Sequence, residues 1–197
     1  MSFRNFLKLI KMSFNKRVRK SLLNVHRRMA ADSDYSAKKV ILAFWNFLRH
    51  EKLIEFEDKY VVNTFFPPFP GKAFEQIFDG TSQSNKKLFE NYKTGKRIAP
   101  LSCYIALTSN CPYNCWHCSA ANRENSKAME TDVIKRTIKD LQDMGTSIIG
   151  FTGGEPLLRE DLTEIIASID DRSTSFVFSA GFGVTKEKAM KLKQAGL

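Results

Sequence analysis

Cys111, Cys115 and Cys118 stand in the run Thr108-Ser109-Asn110-Cys111-Pro112-Tyr113-Asn114-Cys115-Trp116-His117-Cys118, three thiols at x3 and x2 spacing within one short irregular loop. Soft sulfur donors this close together select an iron–sulfur cluster or zinc over hard, oxygen-seeking cations. Three thiolates on a cubane cap three irons and leave the fourth open. Zinc would need a fourth donor, and His117 is the nearest. Most structural zinc sites, however, split their ligands between two separated pairs, and the adjacent His117 and Cys118 would have difficulty aiming at one tetrahedral ion. A ferredoxin-type loop needs a further cysteine downstream, and none follows Cys118. Cys103, the remaining cysteine, lies upstream and reads as a small buried strand residue.

The elements that position this loop alternate from residue 100 onward. Leu101 to Leu107 reads as a strand running into the cysteines. Residues 130–144 read as a helix with Val133, Ile134, Ile138, Leu141 and Met144 on one face, ended by Gly145. Ser147 to Thr152 is the next strand, Asp161 to Ile169 a helix, Ser175 to Ser179 a third strand and Thr185 to Gln194 a third helix. This α/β rhythm predicts a parallel sheet whose right-handed crossovers bring every strand C-terminus to one edge. The cysteine loop, Gly153-Gly154-Glu155-Pro156 and Ser179-Ala180-Gly181 would then share that edge.

Taken together, Cys111-x3-Cys115-x2-Cys118 after one strand and Gly153-Gly154-Glu155-Pro156 after the next resemble the radical S-adenosylmethionine (SAM) superfamily. The fuller text, Gly-Phe-Thr-Gly-Gly-Glu-Pro-Leu-Leu-Arg-Glu-Asp-Leu, is similar to members with SPASM or twitch C-terminal domains, and the likeness covers residues 100–197. The resemblance implies that the three cysteines hold a [4Fe-4S] cluster whose open iron chelates SAM. Reductive cleavage then gives a 5′-deoxyadenosyl radical that abstracts hydrogen from a substrate. It implies a reducing partner of flavodoxin or ferredoxin type, and a substrate the sequence does not name, a peptide among the classes left open. Gly153 and Gly154 would let backbone approach the methionine moiety, Glu155 would accept from its ammonium, and Pro156 would stop strand pairing where the loop opens. His117 occupies the place of an aromatic ring near the adenine. The family's Thr-Asn-Gly or Thr-Ser-Gly after the third strand is Ser179-Ala180-Gly181 here, so Ala180 offers no polar side chain and Ser179 is the remaining candidate.

The resemblance also implies a fold, a partial (β/α)6 TIM-like barrel of which this sequence supplies the first three βα units. The expectation is a fragment, inactive alone, with its third strand an unpaired edge. The alternatives are a non-catalytic iron–sulfur protein and a zinc-stabilised interaction module with a basic arm.

Residues 1–99 predict a mostly helical region before the 100–197 core. Its first 30 residues carry Arg4, Lys8, Lys11, Lys16, Arg17, Arg19, Lys20, Arg27 and Arg28 with no acid, within a formal charge of +10 for the chain. Phe3, Leu7, Ile10, Phe14, Val18, Leu22, Val25 and Met29 draw one apolar stripe along a helix there. Docking on its own domain is the leading reading of this basic amphipathic stretch; peripheral contact with an anionic membrane comes next, and nucleic acid is the weakest. Lys8 and Lys11 interrupt any secretory signal. Clustered rather than paired cysteines fit a reducing, cytoplasmic setting. Residues 36–50 predict a second helix, Tyr60–Phe66 an extended segment, Pro67–Gly71 a turn, and residues 72–79 and 85–94 two short helices, with the aromatic residues of this region read as packing.

Overall fold

The computed structural model describes residues 3–30, 36–49, 51–63, 65–78, 99–120 and 127–197. The chain divides into two compact units, Met1–Pro100 and Leu101–Leu197.

In the first unit the basic stretch forms two helices, α1 (Phe3–Phe14) and α2 (Lys16–Ala30). The single predicted helix is broken at Asn15, whose side-chain oxygen accepts from the backbone N–H groups of Arg17 and Val18 and so caps α2. Helix α3 (Ala37–Leu48) follows, then an antiparallel hairpin of β1 (Ile54–Phe56) and β2 (Lys59–Val61), then the short α4 (Lys72–Gln76). The predicted extended segment is therefore strand only as far as Val61, and its partner β1 carried no signal of its own. The helix expected over 85–94 lies outside the described residues. The aromatic residues pack as anticipated: Phe74 meets Phe44, Phe66, Phe69 and Phe78 at centroid distances of 4.6–5.8 Å. Glu75, buried on α4, accepts from Ser21 Oγ at 2.7 Å and from Asn24 Nδ2, which ties α4 to α2.

The second unit is a three-stranded parallel sheet, β3 (Ser102–Ala106), β4 (Ile148–Thr152) and β5 (Thr174–Val177), in that spatial order. Helices α5 (Thr131–Met144), α6 (Leu162–Ala167) and α7 (Lys186–Gln194) alternate with the strands. Ile105, Leu107, Ile149 and Phe151 from the sheet pack with Ile134, Ile138, Leu141, Leu162, Ile165 and Leu192 from the helices. Of the face predicted for α5, Val133 and Met144 are exposed, and the buried Gln142 takes a place on it. Gly145 ends α5 at φ 108°, as the left-handed helix terminus requires. Cys103 is half-buried against this core, and burial pushes its thiol pKa up. Because all three strands run the same way, Ala106, Thr152 and Val177 end at a common edge.

Candidate functional site

Two of the three loops at that edge, those after β3 and β4, are joined by their backbones. Leu107 N donates to Thr152 O at 2.8 Å, Gly154 N to Thr108 O at 2.6 Å, and Glu155 N to Asn110 O at 2.8 Å. The start of the cysteine loop is thus laid along the Gly153–Glu155 turn. Gly153 has φ +132°, and a Cβ there would stand 2.4 Å from Thr108 O. A Cβ on Gly154 would stand 2.1 Å from Asn110 O and 2.8 Å from Ser109 O. Neither distance is physically accessible, so what fills the space beside these glycines is the cysteine loop's own backbone.

Glu155 is buried, at 1% exposure, and its carboxylate is fully engaged. Leu157 N and Ser179 Oγ donate to Oε1 at 3.0 and 2.7 Å, and Ala180 N donates to Oε2 at 2.9 Å. Hydrogen bonds to a charged acceptor are the stronger kind, and three of them satisfy a carboxylate that would otherwise be costly to bury. In this structure Glu155 acts as a tie between the β4 and β5 loops. Ser179 donates to that carboxylate, and Ala180 contributes through its backbone N–H, a role that needs no polar side chain. Pro156 begins a 3-10 turn, Pro156–Leu158, rather than ending a strand: its fixed φ suits the first turn position.

Arg159, in the next segment, braces the same edge from below. Its guanidinium donates to Leu107 O and Met129 O, both at 2.9 Å, and makes a bidentate pair with Asp161 at 2.7 Å. Thr131 Oγ1 donates to the same carboxylate. The Arg159 guanidinium beside Asp161 holds that carboxyl well below the usual range, at about 2. The pair therefore fixes the residue that precedes the cysteine loop and the start of α5. Sequence reasoning assigned no role to Arg159 and Asp161; the available signal was an Arg-x-Asp spacing directly after the Gly-Gly-Glu-Pro turn.

The cysteines are placed differently. Cys111, Cys115 and Cys118 are all exposed free thiols. A tight turn from Cys118 N to Cys115 O, 3.1 Å, brings the last two onto one bend, and Ala120 N donates to Cys118 Sγ at 3.4 Å. Among the described residues, no three His, Cys, Asp or Glu side chains converge on a point the size of one metal ion. His117 is exposed, with its ring 5.2 Å from that of Trp116, which is 95% exposed. Tyr113 in the cysteine loop meets Phe182 beyond β5 edge-to-face at 6.1 Å, a further link between the loops.

The radical SAM superfamily model matches residues 105–197. Over this stretch, 93 of the 197 residues, the chain is similar to the radical SAM superfamily. The probable GTP 3′,8-cyclase of Methanococcus maripaludis (strain C5 / ATCC BAA-1333) is 38% identical over 96 residues, 47% of this chain and 32% of that protein. The PqqA peptide cyclase of Bradyrhizobium diazoefficiens is 32% identical over 102 residues, 50% of this chain and 27% of that protein. The Fe-coproporphyrin III synthase of Methanosarcina barkeri is 36% identical over 94 residues and 24% of its length. The chain spans a third or less of each of these relatives. Among solved structures, BtrN in complex with AdoMet and 2-DOIA gives a TM-score of 0.41 at 20% identity over 49% of this chain and 42% of that one. Streptococcus suis SuiB bound to S-adenosylmethionine gives 0.46 at 16% identity over 79% and 32%.

The match implies the superfamily's cofactors, SAM and a [4Fe-4S] cluster. The radical SAM segment has a donor set suited to the cluster: three soft thiols exposed on one loop, unpaired with each other, with a backbone N–H already directed at one sulfur.

Proposed function

We propose that the chain carries the cluster-binding part of a radical SAM enzyme, with Cys111, Cys115 and Cys118 as the cluster ligands and the edge formed by Gly153, Gly154, Glu155, Pro156 and Ser179 as the cofactor-facing rim. The observation that carries this reading is the backbone seam between Thr108–Asn110 and Gly153–Glu155, which supports one rigid base beneath the three thiols. When bound, the cluster and SAM supply reductive cleavage of the sulfonium and hydrogen-atom abstraction; the protein's part is to bind and orient. Thr108 and Asn110 carbonyls, hydrogen-bonded to the Gly-Gly-Glu turn, hold the loop's first residues. Glu155 holds the β5 loop in place through Ser179 and Ala180, and its role toward SAM is that of a positioning residue. His117, exposed beside Cys118, is free of the core and able to lie against a bound ring. An electron donor of flavodoxin or ferredoxin type would approach this exposed loop. We extend the same reading to architecture: β3, β4 and β5 are the first strands of a partial (β/α)6 barrel.

Anaerobic reconstitution of the whole chain with iron and sulfide tests the reading. Expected are about four irons and four sulfides per chain, the brown absorption of a [4Fe-4S] protein, and an electron-paramagnetic signal that changes when SAM is added. Cys115→Ala should lose stable loading, because two thiolates leave two irons uncapped. A colourless protein that binds one zinc, or unchanged iron and sulfide in the Cys115→Ala protein, would overturn it.

A further inference from the structure

The apolar stripe of the basic segment does not stay on one face of the fold. In α2 it docks: Val18 and Val25 are buried, with Ser21 between them. In α1 the residues that pack are Leu9 and Met12, whereas Phe6, Leu7, Ile10 and Phe14 are exposed, Phe14 at 72%. At 100° per residue these four fall within an arc of about 100°, turned away from Leu9 and Met12. The break at Asn15 is what lets the two halves of the stripe face differently.

The charge that α1 and α2 themselves carry has one sign. The first 30 residues contain nine Lys and Arg and no acid. Among the described residues four of those cations have partners within the unit: Lys8 Nζ donates to Leu53 O at 2.6 Å, Lys11 pairs with Glu55 at 2.7 Å, Arg17 pairs with Asp58, and Arg19 Nη2 donates to Phe14 O at 3.3 Å. Lys16, Arg19, Lys20 and Arg27 are exposed on α2. An aromatic and aliphatic ridge beside several exposed cations is the composition of a helix that lies in a lipid interface, apolar side down, with lysines and arginines at the headgroups. Nucleic acid would account for the cations and leave the ridge unexplained. Among the described residues no helix is long and apolar enough to cross a membrane, so the contact is peripheral.

We infer that the exposed Phe6-Leu7-Ile10-Phe14 ridge of α1, with the exposed cations of α2, docks the protein on an anionic lipid surface. The test is co-sedimentation of the whole chain with phosphatidylcholine vesicles, with and without phosphatidylglycerol. Binding should require phosphatidylglycerol and weaken in high salt. Phe14→Ser and Leu7→Ser alter exposed side chains and should leave the thermal midpoint in place, yet each should lower vesicle affinity by about tenfold. Lys16→Glu with Lys20→Glu should lower it further and remove the salt dependence. No binding, equal binding to neutral vesicles, or unchanged binding by the Phe14→Ser, Leu7→Ser protein would overturn the inference. So would a dimer in light scattering that the same two substitutions dissolve, since the ridge would then be covered by a second copy. Salt-sensitive binding of DNA that is stronger than vesicle binding and indifferent to Phe14→Ser would overturn it in favour of nucleic acid.

Discussion

At the N-terminal end of the parallel sheet, the buried side chains of Gln142 and Ser173 are tied into one hydrogen-bond network. Gln142 Nε2 donates to Asp170 Oδ1 at 3.0 Å and to Ser173 Oγ at 3.1 Å, and Ser173 Oγ donates to Thr146 O at 2.7 Å. Arg172 closes the rim by bridging Asp170 and Asp143; it holds the Asp170 carboxyl below its usual range, and Lys139 together with Arg172 does the same for Asp143. At the C-terminal end the hydrogen bonds run between loop backbones and through Glu155, and the groups with chemical reach, Cys111, Cys115, Cys118 and His117, are left exposed. One end spends its polar groups on closing the fold. The other spends them on a base and keeps its soft donors available, which is the division expected of strand C-termini in α/β sheets.

The sharpest way to break this contrast is to push the base apart. In Gly154→Ala the new Cβ would meet the Asn110 carbonyl, and a backbone atom cannot swing aside as a side chain does. The expected cost is about 3 kcal/mol of stability, with cluster loading falling as the cysteine loop is displaced. Chemical denaturation and iron content of the reconstituted protein check both parts; an unchanged iron content would show that the seam does not position the thiols. Glu155→Gln is next. The amide replaces one acceptor oxygen with donors that face N–H or O–H groups of Leu157, Ser179 or Ala180, at a cost of about 2 kcal/mol. Amide exchange should speed up at Ala180 and Leu157 and stay slow at Ile149, in the core of β4.

Much of the second unit was legible from spacing alone. Period and punctuation placed the three strands within one or two residues at each end, because a buried parallel strand is a short apolar run bounded by breakers. The cysteines and Gly-Gly-Glu-Pro were legible as loops at one edge for the same reason. What sequence could not supply is which surface needs a glycine's missing side chain. Gly153 and Gly154 read equally well as room for a cofactor, and the structure puts the backbone of Thr108, Ser109 and Asn110 there. Glu155 likewise read as a ligand, since a backbone N–H such as that of Ala180 leaves no trace in residue type. Val133 and Met144 fit the helical period but fall at the margins of the α5 stripe, where a sheet of three strands does not cover them. The break at Asn15 had a signal, an N-cap residue within a continuous apolar period, and the period overrode it.

The Arg159–Asp161 pair, which braces the C-terminal edge, responds to acid. A carboxyl whose folded pKa is about 2, against an ordinary 3.8, contributes stability that is fully present above about pH 4 and is lost as pH falls toward 2. Across that window the melting temperature of the native protein should fall faster than that of Asp161→Asn, so that the two curves converge in acid. Parallel curves would mean that the pair is screened by solvent despite its bidentate geometry.

The smallest effects belong to the closed end, where two substitutions separate satisfied from unsatisfied burial. Gln142→Ala removes a donor shared by Asp170 and Ser173 and should cost about 1–2 kcal/mol, with iron content after reconstitution unchanged. Ser147 is fully buried, and its Oγ has no hydrogen-bond partner among the described residues. Its hydroxyl is desolvated without compensation, so Ser147→Ala deletes a penalty along with a small volume, and the two changes oppose each other. The expected result is a denaturation midpoint within about 0.5 kcal/mol of the native protein or slightly above it. A loss as large as that of Gln142→Ala would show that the Ser147 hydroxyl is part of the closed network after all, and the contrast between the two ends would then rest on exposure of the cysteines alone.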